Sequence, residues 1–354
     1  MFVITPDREY IKYIDVRTLA ILFCLMGVMA GLKEIGVFEC LAQKMLKGVG
    51  TERMLVFIPV MLCFLLSMFI TNDVALITFV PFTFIVLNMA DREDLTISVV
   101  AMETTAANLG SMMTPLGNPQ NIYLFSISGM SIAEFLKLVF PYGALSFLLF
   151  VLWVAFRRKK GDGKLSVAFE NSIKIKNKGL LVIYLCLFIL CLLTVIRAIN
   201  YGITLCIVLV LILIFDRKTL KKIDYSLLLT FIGFFVFIGN MGRVEAFSEF
   251  LRSIILNNEV ITSVVSSQVI SNVPAALLLS GFTDKTDALI VGTNIGGLGT
   301  LIASMASLIS FKFIGKREKG ITGKYIGYFS VVNIIFLVAL MGLYYVIKTT
   351  VWSV

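Results

Sequence analysis

The run "LLVIYLCLFILCLLTVI" (180–196) limits this chain more than any other feature. It is continuous rather than alternating, which excludes the period-two strands of an outer-membrane barrel, and it approaches the roughly 20 apolar residues that carry a helix across a bilayer. Similar runs recur along all 354 residues, of which 58% are hydrophobic and 15% charged. Mean hydropathy is +0.96, far too apolar for a soluble domain. The chain reads as an all-α polytopic membrane protein.

The N-terminus "MFVITPDREY" turns charged before an apolar core forms, so no cleavable signal peptide is expected. Six cysteines lie singly, mostly inside apolar runs, and there is no histidine, so metal-ligand spacing is absent and a zinc enzyme is excluded. The net charge of +9 could suggest nucleic acid, but Lys and Arg sit in loops between spans, where membrane orientation explains them. No nucleophile and base pair is spaced for catalysis, so an enzyme is not expected.

Apolar periodicity places spans at 17–44 and 133–156, with a helix-break-helix hairpin at 54–90 and a broken helix at 96–127 between them. A basic loop follows at 157–178, then two plain spans within 179–215. A second series runs 225–250, hairpin 259–282, broken helix 286–309 and 325–347. Residues 1–156 thus form a first repeat and 179–354 a second, and the first lacks counterparts of the two plain spans at 179–215. A short branch or a truncated frame would both give that pattern.

The repeats share residues in order. "DREYIKYID" (7–15) and "DRKTLKKID" (216–224) agree at five of nine positions, an offset that also pairs Phe38 with Phe247. "ITNDVA" (70–75) resembles "ISNVPA" (270–275), and "AANLGSMMT" (106–114) resembles "GTNIGGLGT" (292–300). If each hairpin is re-entrant, five crossings separate the repeats, and an odd number inverts them. With loop 157–178 in the cytoplasm, 20 of the 31 Lys and Arg fall in inside loops, as the positive-inside rule requires. The expected location is the plasma (cytoplasmic) membrane.

As one helix, 96–127 would be about 48 Å long, against a hydrocarbon core of about 30 Å. In "TPLGNPQN", Pro115 and Pro119 remove two backbone donors, Gly117 allows a turn, and Asn118 can cap a new helix with Pro119 at its first position. The hairpin tips are Thr71-Asn72-Asp73 and Ser271-Asn272-Val273-Pro274. Broken backbone survives at membrane depth only where it lines a cavity or is buried in protein, so tips and breaks together define one midplane site. Helix N-termini there suit a carboxylate or oxyanion, and exposed carbonyls with Asn and Thr oxygens suit sodium. No Lys or Arg lies in the four breaks.

Asp73 is the exception in this neutral set, since a carboxylate near the bilayer centre is costly enough to be a functional candidate. It is expected to bind the coupling cation or carry the coupled proton, with capping of the second hairpin arm as the structural alternative. For Glu103, interfacial exposure and a proton-relay role both stand. Arg243 and Glu245 are expected near the far end of 225–250 and receive no role.

On "TNDVALITFVPFT" (71–83), "TTAANLGSMMTPLGNPQN" (104–121), "SNVPAALLL" (271–279) and "GTNIGGLGT" (292–300), the chain resembles the ion transporter superfamily. The likeness is to its citrate transporter and arsenite permease branch, and more distantly to the divalent-anion/sodium symporters. It implies a scaffold and a moving transport domain, a homodimer, and elevator-type alternating access. By the symporters' Ser-Asn-Thr motifs, Asn72 and Asn272 match the tip Asn and Ser271 the tip Ser. Thr71, Asp73 and Val273 depart from that motif, and Asp73 fits the arsenite and citrate branch.

The leading expectation is a secondary active transporter of a small anion, a carboxylate such as citrate or an oxyanion such as arsenite, coupled to sodium or protons. A sodium/proton antiporter and a non-transporting truncated membrane subunit are the alternatives. Candidate substrate- and ion-binding residues are Thr71, Asn72, Asp73, Asn108, Thr114, Gly117, Asn118, Ser271, Asn272, Asn294, Gly296 and Thr300. Asn72, Asp73 and Asn272 are the candidate sodium ligands, and no other cofactor is expected.

Overall fold

The computed structural model describes residues 9–47, 49–157, 172–317 and 320–351. Asp7, Arg8 and positions 158–171 of the basic loop lie outside them. The described residues form helices and no strand: α1 (Glu9–Tyr13), α2 (Val16–Glu34), α3 (Val37–Leu46), α4 (Glu52–Ile70), α5 (Asn72–Met89), α6 (Thr96–Ser111), α7 (Pro119–Ser128) and α8 (Ile132–Ala155) come first. After the basic loop follow α9 (Lys178–Val195), α10 (Tyr201–Phe215), α11 (Tyr225–Gly242), α12 (Glu245–Ile255), α13 (Glu259–Ile270), α14 (Asn272–Ser280), α15 (Thr286–Gly296), α16 (Met305–Arg317) and α17 (Thr322–Val351). Seven of them are long and apolar enough to cross a membrane, as an integral membrane protein requires.

Helix starts follow local capping chemistry. Asp15 accepts from the N–H of Thr18, Thr51 from that of Met54, and Ser131 forms a capping box with Glu134. Each cap satisfies N–H groups that the first helical turn would leave unpaired.

Two expected spans are split. Segment 17–44 divides into α2 and α3 at Gly36, whose φ of +83° suits a residue without Cβ. Segment 225–250 divides into α11 and α12 at Arg243 and Val244, so Glu245 opens α12 rather than ending a span. At 10 and 11 residues, α3 and α12 reach only about 15 to 17 Å and cannot span. Segment 286–309 runs longer than expected, because α16 continues to Arg317 and takes Lys312, Lys316 and Arg317 out of the loop assigned to 310–324.

Ion pairs gather the polar ends into two groups. Arg92 binds Glu52 at 2.6 Å, Arg157 approaches Glu52 at 3.6 Å, Arg317 meets Glu93 at 2.5 Å and Lys222 approaches Glu34 at 3.6 Å. A second set joins the ends of other helices: Lys285, before α15, with Glu259 at the start of α13 at 2.9 Å, and Arg197, after α9, donating to the Ser126 carbonyl of α7 at 3.3 Å. Between the two groups lies the apolar core, into which α4, α6, α13 and α15 bring both tips and both breaks.

Candidate functional site

One residue links α4 to α5, and one links α13 to α14. Thr71 (φ 66°, ψ 148°) and Ser271 (φ 73°, ψ 155°) hold the same left-handed backbone, which costs a residue with a Cβ about 1–3 kcal/mol. What holds each tip is the facing break. Asn72 N–H donates to Gly117 O at 3.1 Å, and Asn272 N–H donates to Ala303 O at 2.9 Å.

The first break uses the devices its sequence announces. Asn118 caps α7 by accepting the Asn121 N–H, with Pro119 at the first helical position. A Cβ on Gly117 would fall 2.1 Å from Ser111 O, so only glycine passes there. From this cap an amide network crosses to the second break. Asn118 Nδ2 donates to Asn294 Oδ1 at 2.9 Å, and Asn294 Nδ2 donates to Asn121 Oδ1 at 2.6 Å. Beside it, Asn108 Oδ1 accepts from Asn72 Nδ2 at 3.1 Å and from Ser304 Oγ at 2.9 Å. The side chains of Asn72, Asn108, Asn118, Asn121, Asn272 and Asn294 are all buried.

The contacts recur in pairs. Hairpin positions correspond at an offset of 200 and broken-helix positions at 186, as the aligned motifs require. Thr114 Oγ1 donates to Met68 O, and its counterpart Thr300 Oγ1 donates to Gln268 O at 3.3 Å. Gly110 lets α6 approach Phe64 O and Ser67, and its counterpart Gly296 lets α15 approach Ser267 and Val264. Gly117 and Ala303, the two acceptors for the tips, stand at the same offset.

Each break also exposes carbonyls at the end of its first half-helix, and an amide meets them. Asn121 Nδ2 lies 3.4, 3.3 and 3.1 Å from the carbonyls of Ser111, Met112 and Thr114. Gln268 Nε2 lies 2.9 Å from those of Gly296 and Leu298, and its Oε1 accepts the Thr300 N–H at 2.9 Å.

Asp73 points elsewhere. It follows Asn72 in the first turn of α5, is not its cap, and lines a cavity of 440 Å³ together with Thr71 and Pro119. Its Oδ1 is buried without a hydrogen-bond partner among the described residues. Lys33, Lys176 and Lys222 line the same cavity, so cations absent from the four breaks arrive from α2 and from the segments before α9 and α11. Acidic Glu34, Glu39 and Asp224 line it too.

Glu103 is not interfacial. It is fully buried in α6, where Oε1 accepts from Thr83 Oγ1 at 2.5 Å and Oε2 has no partner among the described residues. It stays apart from the amide network.

The structure therefore brings together Asn72, Asn108, Asn118 and Asn294, with Thr71 and Asp73 at the adjoining cavity. Asn272, Ser271 and Thr300 gather around the second break, and Thr300 is exposed. Sequence reading missed Asn121, Ser111, Ser304, Gln268 and the three lysines. Asn121 carried a signal, one helical turn after a capping Asn-Pro; the lysines carried none.

A family model described as citrate transporter matches residues 1–286. An uncharacterized transporter of Methanocaldococcus jannaschii is 33% identical over 351 residues, 97% of this chain and 94% of that protein. Inner membrane protein YbiR of Escherichia coli is 30% identical over 323 residues, 90% of this chain and 85% of its own. The silicon efflux transporter LSI3 of Oryza sativa is 32% identical over 140 residues, 39% of this chain and 28% of its own.

Proposed function

We propose that this chain, which belongs to the citrate transporter family and is a membrane transporter rather than an enzyme, moves a small anion by secondary active transport coupled to sodium or protons. The anion is a carboxylate such as citrate or an inorganic oxyacid such as arsenite. The family's name supports the first, and the silicon named for the rice relative supports the second.

The observation that carries the reading is the meeting of the two breaks through Asn118 and Asn294 beside a cavity that reaches Thr71, Asp73 and Pro119. The N-termini of α5 and α7 are both at that cavity, and the positive end of a helix dipole attracts anions. Lys33, Lys176 and Lys222 add positive charge at its wall, opposed there by Glu34, Glu39 and Asp224, so the anion's support is the helix N-termini rather than net charge. Asp73, with one oxygen unpartnered, is the candidate carrier of the coupled cation or proton.

In this reading the halves are inverted repeats with re-entrant hairpins α4–α5 and α13–α14. Tips and breaks move as one unit against a scaffold of α2, α9, α10 and α11, an elevator-type motion that carries the site across the membrane. The cavity between α2 and the first tip is the opening on the side of loop 157–178, which faces the cytoplasm in a plasma-membrane protein. The scaffold pairs two copies in a homodimer.

Uptake of labelled citrate and labelled arsenite into proteoliposomes, under imposed sodium or proton gradients, tests the reading. Gradient-driven accumulation of either anion is expected. Cation exchange with no anion requirement would replace it with an antiporter.

A further inference from the structure

Sodium is one of two coupling ions that the reading of the breaks as a transport site allows, and on that reading its natural seat is the ring of free carbonyls at a half-helix C-terminus. The donor set does not fit it. At the second break, Gln268 Nε2 already donates to Gly296 O and Leu298 O at 2.9 Å and to Val264 O at 3.2 Å. At the first, Asn121 Nδ2 stands among Ser111 O, Met112 O and Thr114 O. At the offset of 186, Met112 O and Leu298 O are equivalent, so two unrelated side chains bring an amide nitrogen to the same place in each half.

Amide orientation is ambiguous in isolation, but here the backbone fixes it. Carbonyls only accept and the Thr300 N–H only donates, so Gln268 has one consistent orientation. The Asn121 N–H fixes Asn118 Oδ1, which turns Asn118 Nδ2 to Asn294 Oδ1 and Asn294 Nδ2 to Asn121 Oδ1. That leaves Asn121 Nδ2 for the carbonyls. The oxygens of Asn72, Asn108, Asn118, Asn121 and Asn294 all accept hydrogen bonds already, from Asp73 N–H in the case of Asn72. Asn272 Oδ1 has the weakest donor, Ser271 Oγ at 3.5 Å.

We infer that the amides of Asn121 and Gln268 are built-in substitutes for a cation, occupying both carbonyl cradles so that neither break binds sodium. A donor N–H carries the partial positive charge a cation would supply, and the carbonyls are satisfied without one.

The test is sodium binding to the purified full chain in detergent, read as thermal unfolding and as retention of radioactive sodium, with potassium and choline as controls. Asp73 lies outside both cradles and could hold a cation of its own, so Asp73→Asn is the parent protein, and it is expected to show no sodium-specific shift. With Gln268→Glu added, Oε1 can still accept from Thr300, but the donor becomes an acceptor facing Gly296 O and Leu298 O. The melting temperature should become cation-dependent, rising by about 3 °C when sodium saturates the vacated cradle. Gln268→Ala in the same parent, which leaves the carbonyls bare, should retain sodium where the parent does not. Saturable, sodium-specific stabilisation of the Asp73→Asn parent overturns the inference, as does a Gln268→Glu protein whose stability ignores every cation. Neither readout uses transport: a sodium-binding parent leaves anion transport standing, and a failed uptake assay leaves the closed cradles standing.

Discussion

The first tip and the second share one backbone and differ in one charge. Thr71 and Ser271 adopt φ values of 66° and 73°, and the next residue, Asn in both, donates to the facing break. One position on, the halves part. Asp73 presents an unpartnered oxygen at a cavity containing three lysines, whereas Val273 is 7% exposed in the apolar core. The surroundings differ as well: 61% of the apolar window of α2 is buried, against 17% of that of α11, because α9 and α10 pack on α2. Shared geometry therefore comes from the tip-to-break contacts, and what is specific to one half comes from a single side chain and the helices around it.

Close helix approach should break the comparison hardest. A Cβ at Gly110 would fall 2.0 Å from the backbone oxygen of Phe64, which cannot move without α4, whereas at Gly296 Ser267 Oγ at 2.6 Å can rotate away and the nearest fixed atom is Ser267 Cβ at 2.8 Å, a milder overlap. Gly110→Val is expected to cost about 3 kcal/mol or more and Gly296→Val about 1–2 kcal/mol. Yield of folded protein on size exclusion measures this, and equal losses would reject the asymmetry.

The network comes next. Asn118→Ala removes the cap of α7 and leaves Asn294 Oδ1 buried without its donor, for about 3 kcal/mol. Its counterpart Ser304 gives Asn108 Oδ1 a hydrogen bond that Asn72 also supplies, so Ser304→Ala should cost about 1 kcal/mol. Denaturation of the two variants side by side reads the difference.

Which of these features could be read beforehand depends on how locally they are encoded. The first break was legible because Pro115, Gly117, Asn118 and Pro119 each restrict the backbone where they stand, and Asn118 caps α7 as its chemistry requires. The splits of 17–44 and 225–250 were not, because Lys33, Glu34 and Glu39 around Gly36, and Arg243, Glu245 and Glu249 around Val244, read equally well as the polar end of a span and as the join to a separate short helix. For Glu103 the sequence leaves interfacial exposure and a proton-relay role both open, and burial by α4 and α5 removes only the first. Gln268 and the cavity lysines were hidden for a different reason: their partners lie far away in sequence, and no spacing rule connects Lys222 with Asp73.

Asp73 itself gives the third test. Asp73→Asn keeps size and hydrogen bonding but not charge, so the folded protein should be recovered in full while gradient-driven accumulation falls about tenfold, equivalent to about 1.4 kcal/mol of coupling. Val273→Ala, at the equivalent position, should leave the ratio of driven to undriven uptake unchanged. An unaltered ratio in Asp73→Asn would remove Asp73 from coupling.

The smallest effects are expected at the open ends of the hairpins, where the first is tied more tightly than the second. The Arg92 and Glu52 side chains are 14% and 10% exposed, and Arg92→Ala should cost about 1 kcal/mol, since Arg157 still approaches Glu52. Lys285 is 54% exposed, so Lys285→Ala should cost about 0.5 kcal/mol or less. Between the halves, the Glu93 carboxyl is held below its ordinary value by the Asn88 hydrogen bond and by Arg317. A lowered folded-state value means that this contact stabilises above the ordinary carboxylate range and is lost as pH falls through the lowered value. Melting curves from neutral pH downward should therefore show a slightly smaller acid-induced drop in Glu93→Gln than in wild type, and an identical drop would mean that Arg317 does not join the halves in solution.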